Sequence, residues 1–233
     1  MVLKKWDELP GFMRVPEVKP YYEKLVDKKT SLMLKRIFDV VVAVLLLMVM
    51  ALPMAILAIA IKIDSEGPVF YRQVRVTSYG KTFRIHKFRT MVSNADKIGS
   101  AVTVSNDCRV TRMGKLLRKV RLDELPQLVD VLRGDMSFVG TRPEVLKYVE
   151  RYKPEYYATL LLPAGITSEA SILYKDEERL LNSADDVDKV YIEDVLPGKM
   201  AFNLKSIKSY SFWGDIKIML RTVFAVCGKG NSQ

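Results

Sequence analysis

Histidine occurs once in this chain, at His86, and cysteine twice, at Cys108 and Cys227. A single histidine excludes a poly-histidine metal centre, and His86 is read as structural. Two distant cysteines make neither a paired-thiolate zinc site nor a disulfide framework, which fits a reducing compartment. Glycine is sparse, with 12 in 233 residues. None cluster into a phosphate-cradling loop, so a Walker loop and a dinucleotide fingerprint are both absent. No Ser-His-Asp arrangement suggests itself. The first 30 residues are charged and hold no apolar core, so no signal peptide is expected there. Internal repeats and low-complexity tracts are lacking too.

What is present is sharply segregated. The chain is 49% hydrophobic and 27% charged, with a net charge of +10. Its length suits one domain with a full core, or one plus appendages. Residues 40–61 carry no charge and no hydrogen-bonding side chain. A bilayer crossing needs about 20 such residues. Lys35 and Arg36 precede the run and Lys62 follows it, so the flanking charges give no orientation. Pro53 lies inside and is expected to break the helix near Met50 to Leu52. Two readings stay open on these grounds: a helix that kinks and returns to the same face, and a kinked spanning helix. The expected organisation is an N-terminal extension over 1–34 lying along a surface, a membrane helix over 35–62, a basic domain over 63–226 and a tail over 227–233.

Residues 62–122 hold 14 Lys/Arg against 4 Asp/Glu, a surplus equal to the whole net charge. So strong a surplus points to a phosphate-rich partner or an anionic lipid surface. No basic strand interleaved with aromatics suggests nucleic acid. Val69-Phe70-Tyr71, Gln73 to Val76 and Thr82 to Ile85 alternate as a β-hairpin around Tyr79-Gly80. A polar, mobile loop is expected over 94–107. Thr111 onward leads into a helix through Arg121. Asp123 and Glu124 then precede an apolar repeat, Leu125, Leu128, Val129 and Leu132, which predicts a helix ending at Gly134. Two carboxylates at a helix N-terminus suit a nucleophile or a metal ligand, and equally an ordinary cap. A short strand is expected around 136–139, a helix over 144–157 and a loop over 163–167. Helices are also expected over 175–195 and 203–210, with an amphipathic one over 212–226. The apolar face of that last helix, led by Phe212 and Trp213, suits a core or a membrane interface. Arg118, Arg142 and Lys87 are candidates to hold phosphate oxygens, arginine in bidentate fashion. A different class stays open beside the enzyme: a membrane-tethered basic module that binds lipid or nucleic acid.

Taken in order, Lys35-Arg36-Ile37-Phe38-Asp39, the apolar run, Gly67-Pro68-Val69-Phe70, Gln73-x-Arg75, Lys87-Phe88-Arg89-Thr90-Met91, Leu122-Asp123-Glu124-Leu125-Pro126-Gln127 and Gly134-Asp135-Met136-Ser137-Phe138-Val139-Gly140-x-Arg142-Pro143 resemble the bacterial sugar transferase family. Its members are monotopic phosphoglycosyl transferases acting on polyprenol phosphate. The resemblance implies a mainly α fold with a small β-hairpin, anchored by a re-entrant broken helix, with interfacial amphipathic helices on a cytosolic catalytic domain. It implies transfer of a sugar 1-phosphate from a UDP-sugar to undecaprenyl phosphate, at the cytoplasmic face of the inner membrane. Asp123 would be the nucleophile, and Glu124, with Asp123, would hold Mg2+. Lys87, Arg118 and Arg142, with Arg75 and Gln73, would contact the substrate. Anionic lipids and a homodimer partner complete the expected set, without nucleic acid. Three places depart from the family pattern. Leu52 stands where a serine often precedes the proline, Thr141 where a proline often does, and the segment 162–171 lacks the usual arginine and polar residues.

Overall fold

The computed structural model describes residues 3–95, 107–174 and 186–227. Most of the expected loop over 94–107, the first half of the helix expected over 175–195 and most of the tail lie outside the described residues. Helices are α1 (Lys19–Val26), α2 (Lys29–Asp64), α3 (Arg112–Lys119), α4 (Gln127–Arg133), α5 (Leu146–Val149), α6 (Glu169–Leu173), α7 (Val187–Val190), α8 (Leu196–Lys208) and α9 (Phe212–Cys227). The strands are β1 (Phe70–Val76), β2 (Thr82–Phe88), β3 (Met136–Val139) and β4 (Ala164–Thr167). The predicted mainly helical fold with one small hairpin is the observed one, enlarged by a second, parallel pair, β3 with β4. The loop expected at 163–167 is therefore a strand. Gly140 and Gly165 allow it, because a Cβ on Gly165 would stand 2.1 Å from the Gly140 nitrogen.

The apolar run forms the middle of α2, and helical geometry continues through Pro53. Met50 to Leu52 stay helical, so Pro53 does not end the helix. A proline inside a helix removes one N–H and can bend the axis without ending the helix. α2 is long and apolar enough to cross a membrane. One of its faces packs on the body along its length. Val42, Ala43, Leu46 and Leu47 meet α4, β2, β3 and α9, while Met54, Leu57, Ala58 and Ile61 meet Phe88, Leu117, Leu122 and Leu125. The opposite face, Val41, Leu45, Met48, Leu52, Ile56, Ile59 and Ile63, is exposed and apolar. Polar ties hold both ends to the same body. Lys35 donates to the Val139 carbonyl at 2.8 Å and meets Asp215 at 2.5 Å, and Arg36 donates to the Val131 and Leu132 carbonyls. At the far end, Arg89 donates to the carbonyls of Ile61, Ser65 and Glu66.

Residues 3–26 do not lie along the surface as expected. Leu9, Met13, Val18, Tyr21 and Leu25 are buried in the largest core, with α5, the 3-10 stretch Pro154–Leu161 and α8. Pro10 caps the 3-10 turn Gly11–Met13, and Pro20 lies in the first turn of α1. The helix expected over 144–157 is a single turn, α5, followed by that 3-10 stretch, which Pro154 opens. Downstream, α7, a π-helical turn (Tyr191–Val195) and α8 follow one another without a gap, so the separate helices expected there are continuous. α9 divides its apolar residues. Ile218 and Met219 pack on the core, whereas Trp213, Leu220, Val223 and Phe224 are exposed.

Candidate active site

Asp123 and Glu124 do not sit in the first turn of α4, as the apolar repeat predicts. α3 ends at Lys119, and Arg121 turns the chain with φ +58°. A separate 3-10 turn, Leu122–Glu124, then carries both carboxylates, and α4 begins at Gln127 after Pro126. The face that α4 buries most deeply is Gln127, Leu128, Asp130 and Val131, rotated from the predicted apolar stripe. Tertiary contacts decide this. Leu125 and Leu132 still pack, but against separate clusters on either side of the helix.

Both carboxylates are nearly inaccessible, Asp123 at 9% and Glu124 at 8%. Glu124 Oε1 accepts from Lys87 Nζ at 2.9 Å and from Arg142 Nη2 at 2.7 Å. The two cations hold Glu124 well below the usual carboxylate range in spite of its burial. Asp123 goes the other way. Desolvation, then the neighbouring Glu124 charge, raise its pKa against the pull of Lys87, Arg118 and Arg142. Its Oδ1 is buried without a protein partner. Burial lowers the Lys87 pKa, and Glu124 opposes that shift. Two adjacent carboxylates thus have opposite electrostatic roles. Glu124 is an anion paired with two cations, and Asp123 keeps one buried oxygen without a protein partner.

The predicted site residues divide into two groups. Lys87, Asp123, Glu124 and Arg142 converge directly. Arg118, on α3, donates its Nε to Thr90 Oγ1 at 3.0 Å and contributes to the field at Asp123. Gln73 and Arg75 are a layer back. Cross-strand pairing puts them on the hairpin face that also carries Lys87. Gln73 Oε1 accepts from Arg75 Nη2 at 2.6 Å, and Arg75 Nη1 donates to the Pro143 carbonyl at 3.1 Å. That bond tethers the loop carrying Arg142, so Arg75 positions a cation as much as it supplies one. Asp135 takes Lys81, and the Glu144 carboxylate accepts from Tyr191.

Asp130 and Thr90 went unnoticed at the sequence level. Asp130 Oδ1 lies 2.6 Å from His86 Nδ1, and its Oδ2 accepts the His86 backbone N–H at 2.8 Å. His86 is structural, as expected: the pair fastens β2 to α4 beside Lys87. A charged residue seven positions after Asp123, inside an apolar helical repeat, was the available signal. Among the described residues no group of three or more acidic, histidine or cysteine side chains forms a metal cage. Mg2+ does not need one, because it binds through one or two carboxylates plus substrate phosphates. The orphaned, buried Asp123 Oδ1 beside Glu124 fits that donor set.

The sequence profile of the bacterial sugar transferase family matches residues 30–229. The chain belongs to that family. Relatives of this bacterial sugar transferase include the UDP-N-acetylgalactosamine-undecaprenyl-phosphate N-acetylgalactosaminephosphotransferase of Aeromonas hydrophila, 35% identical over 82% of this chain and 43% of the relative. The UDP-glucose:undecaprenyl-phosphate glucose-1-phosphate transferase of Caulobacter vibrioides is 38% identical over 81% of this chain and 68% of the relative. The undecaprenyl-phosphate galactose phosphotransferase of Salmonella typhimurium is 33% identical over 85% and 41%. The chain thus spans less than half the length of the first and third of these. The three relatives are named for three different sugars. The Lys87 to Thr90 and Asp123 to Gln127 motifs fall inside the matched span; residues 3–26, which fill the largest core, precede it.

Proposed function

We propose that this chain transfers a sugar 1-phosphate from a UDP-sugar to undecaprenyl phosphate, through a phosphosugar ester on Asp123. The observation that carries the reading is the buried, unpartnered Asp123 Oδ1 next to a Glu124 neutralised by Lys87 and Arg142. A basic binding module has no use for a carboxylate kept unpaired at such cost. In the first step the Asp123 oxygen attacks the sugar-bearing phosphorus. The bond from that phosphorus to the bridging oxygen breaks, and UMP leaves with that oxygen. In the second step a phosphate oxygen of undecaprenyl phosphate attacks the same phosphorus and the Asp123 carboxylate departs. Neither step needs net proton transfer. Lys87, Arg118 and Arg142 bring positive charge to phosphate oxygens, where charge-assisted bonds are strongest. A bound Mg2+ would neutralise the diphosphate and the departing UMP. The product is the first lipid-linked intermediate of a glycan assembly line.

The same reading gives α2 a re-entrant course from the cytoplasmic face. Its two ends are fastened to one body, and its outward face is apolar along the whole length. The exposed Trp213, Leu220, Val223 and Phe224 on α9 suit the interfacial layer. The chemistry is then held at the depth where a lipid phosphate meets a soluble nucleotide sugar. UMP release from a panel of UDP-sugars, with undecaprenyl phosphate and Mg2+, tests the activity and identifies the sugar. Full turnover by Asp123→Asn would refute the covalent route. For topology, single cysteines at Thr30 and Glu66, with Cys108 and Cys227 replaced by serine, should label from the same side; labelling from opposite sides refutes re-entry.

A further inference from the structure

Gln127 stands out among the polar side chains of the interior. It is 1% exposed, and neither its Oε1 nor its Nε2 has a hydrogen-bond partner. The other buried side chains with an unpartnered atom differ. Arg89 keeps both terminal nitrogens engaged, Asp39 accepts from the Phe138 backbone, and the Ser137 hydroxyl lies against Asp39. Among the described residues, only Asp123 and Gln127 hold unsatisfied atoms in the segment that carries the carboxylate pair. They are four residues apart on a backbone that stays helical through Leu125 and Pro126. A four-residue step places side chains on one helical face. The next position on that face, Asp130, bonds His86, and Glu124 bonds Lys87 on the same strand. Gln127 thus lies between two positions, Glu124 and Asp130, whose side chains both meet β2.

Leaving a buried amide unpaired is destabilising, and a fold selected for stability alone would place an apolar side chain there. We infer that the Gln127 carboxamide is reserved for substrate. Its N–H group donates to a non-bridging oxygen of the phosphoryl group held at Asp123, as a third element of the site beside the nucleophile and the cations. An amide suits this position better than a further cation. It steadies the phosphoryl oxygens without forming a permanent ion pair with Asp123, so the nucleophile stays available. The inference rests on the transfer reading and gives that site one more residue in contact with substrate.

The test uses the full chain in nanodiscs, comparing wild type with Gln127→Met, which keeps the length and flexibility of the side chain and removes its polar atoms. The expected result is opposite movement of two readouts. The thermal midpoint stays level or rises, because the unsatisfied atoms are gone. The kcat for UMP release falls by roughly a hundredfold with KM little changed, as for loss of a donor to developing charge. Gln127→Asn, which keeps the amide one methylene short, should recover part of the loss. An equally active Gln127→Met beside an active wild type overturns the amide proposal alone. A fall in thermal midpoint parallel to the fall in kcat also overturns it, since it would assign Gln127 to the fold. A wild type that releases no UMP from any UDP-sugar refutes the transfer reading, and the amide proposal with it.

Discussion

Glu124→Gln isolates the charge that organises the site while keeping its shape. Glu124 Oε1 takes both Lys87 and Arg142, and the three side chains are 10%, 19% and 30% exposed. Removing one partner of a fully buried ion pair costs about 3–5 kcal/mol, because the remaining charge is left uncompensated. Glutamine keeps an acceptor oxygen, and Arg142 has water within reach. The expected loss at neutral pH is therefore smaller, about 2 kcal/mol. For a chain of this size that lowers the thermal midpoint by about 4–8 °C. The pH dependence supplies the sign. Glu124 is held well below the usual carboxylate range in the folded protein. Its stabilising contribution is therefore full above the unfolded glutamate value and is lost as pH falls through the folded one. The gap between wild type and Glu124→Gln should close as the medium is acidified. Thermal unfolding in nanodiscs at neutral pH and along an acid series measures it. A gap that persists unchanged into strong acid, or no gap at neutrality, would refute the clamp.

Further expectations concern the surroundings of that clamp. Burial lowers the Lys87 pKa while Glu124 opposes the shift. The alkaline limb of the UMP-release profile should therefore lie below the ordinary lysine range and move lower still in Glu124→Gln; an unmoved limb would remove Lys87 from phosphate binding. Gly114→Ala would set a Cβ 2.0 Å from the Thr90 carbonyl oxygen. It should cost about 1–3 kcal/mol by overpacking and disturb the Thr90–Arg118 bond, read as lowered midpoint and lowered turnover together. Arg121 holds φ +58° two residues before Asp123. Arg121→Gly should relieve about 1 kcal/mol of backbone strain and Arg121→Val should add to it, so the two midpoints should move in opposite directions. Met13→Ala should lower the midpoint by an amount typical of core truncation, about 2–5 kcal/mol. A surface extension would show no such loss.

The sequence by itself determined the parts that depend on local order. The unbroken apolar stretch over 40–61 forces a lipid-compatible helix, since no polar side chain interrupts it. Period-two alternation set the hairpin, while its register, which puts Gln73, Arg75 and Lys87 on one face, came from the cross-strand pairing. The ordered motifs from Lys35 to Pro143 were enough to suggest the family. Tertiary structure decided what depends on partners distant in the chain. The charge on Asp123 and the charge on Glu124 look interchangeable as neighbours in sequence. Only the arrival of Lys87 from β2 and Arg142 from the loop after β3 makes one a paired anion and leaves an oxygen of the other unpaired. Pro53 did not end α2, because the loss at one proline is local and packing on both sides of it can absorb it. Residues 3–26 read as polar and proline-rich, yet they fill the largest core, because their few apolar side chains find a matching surface on α5 and α8. Hydrophobic burial depends on area removed from water, and a linear pattern does not say which distant surface will cover it.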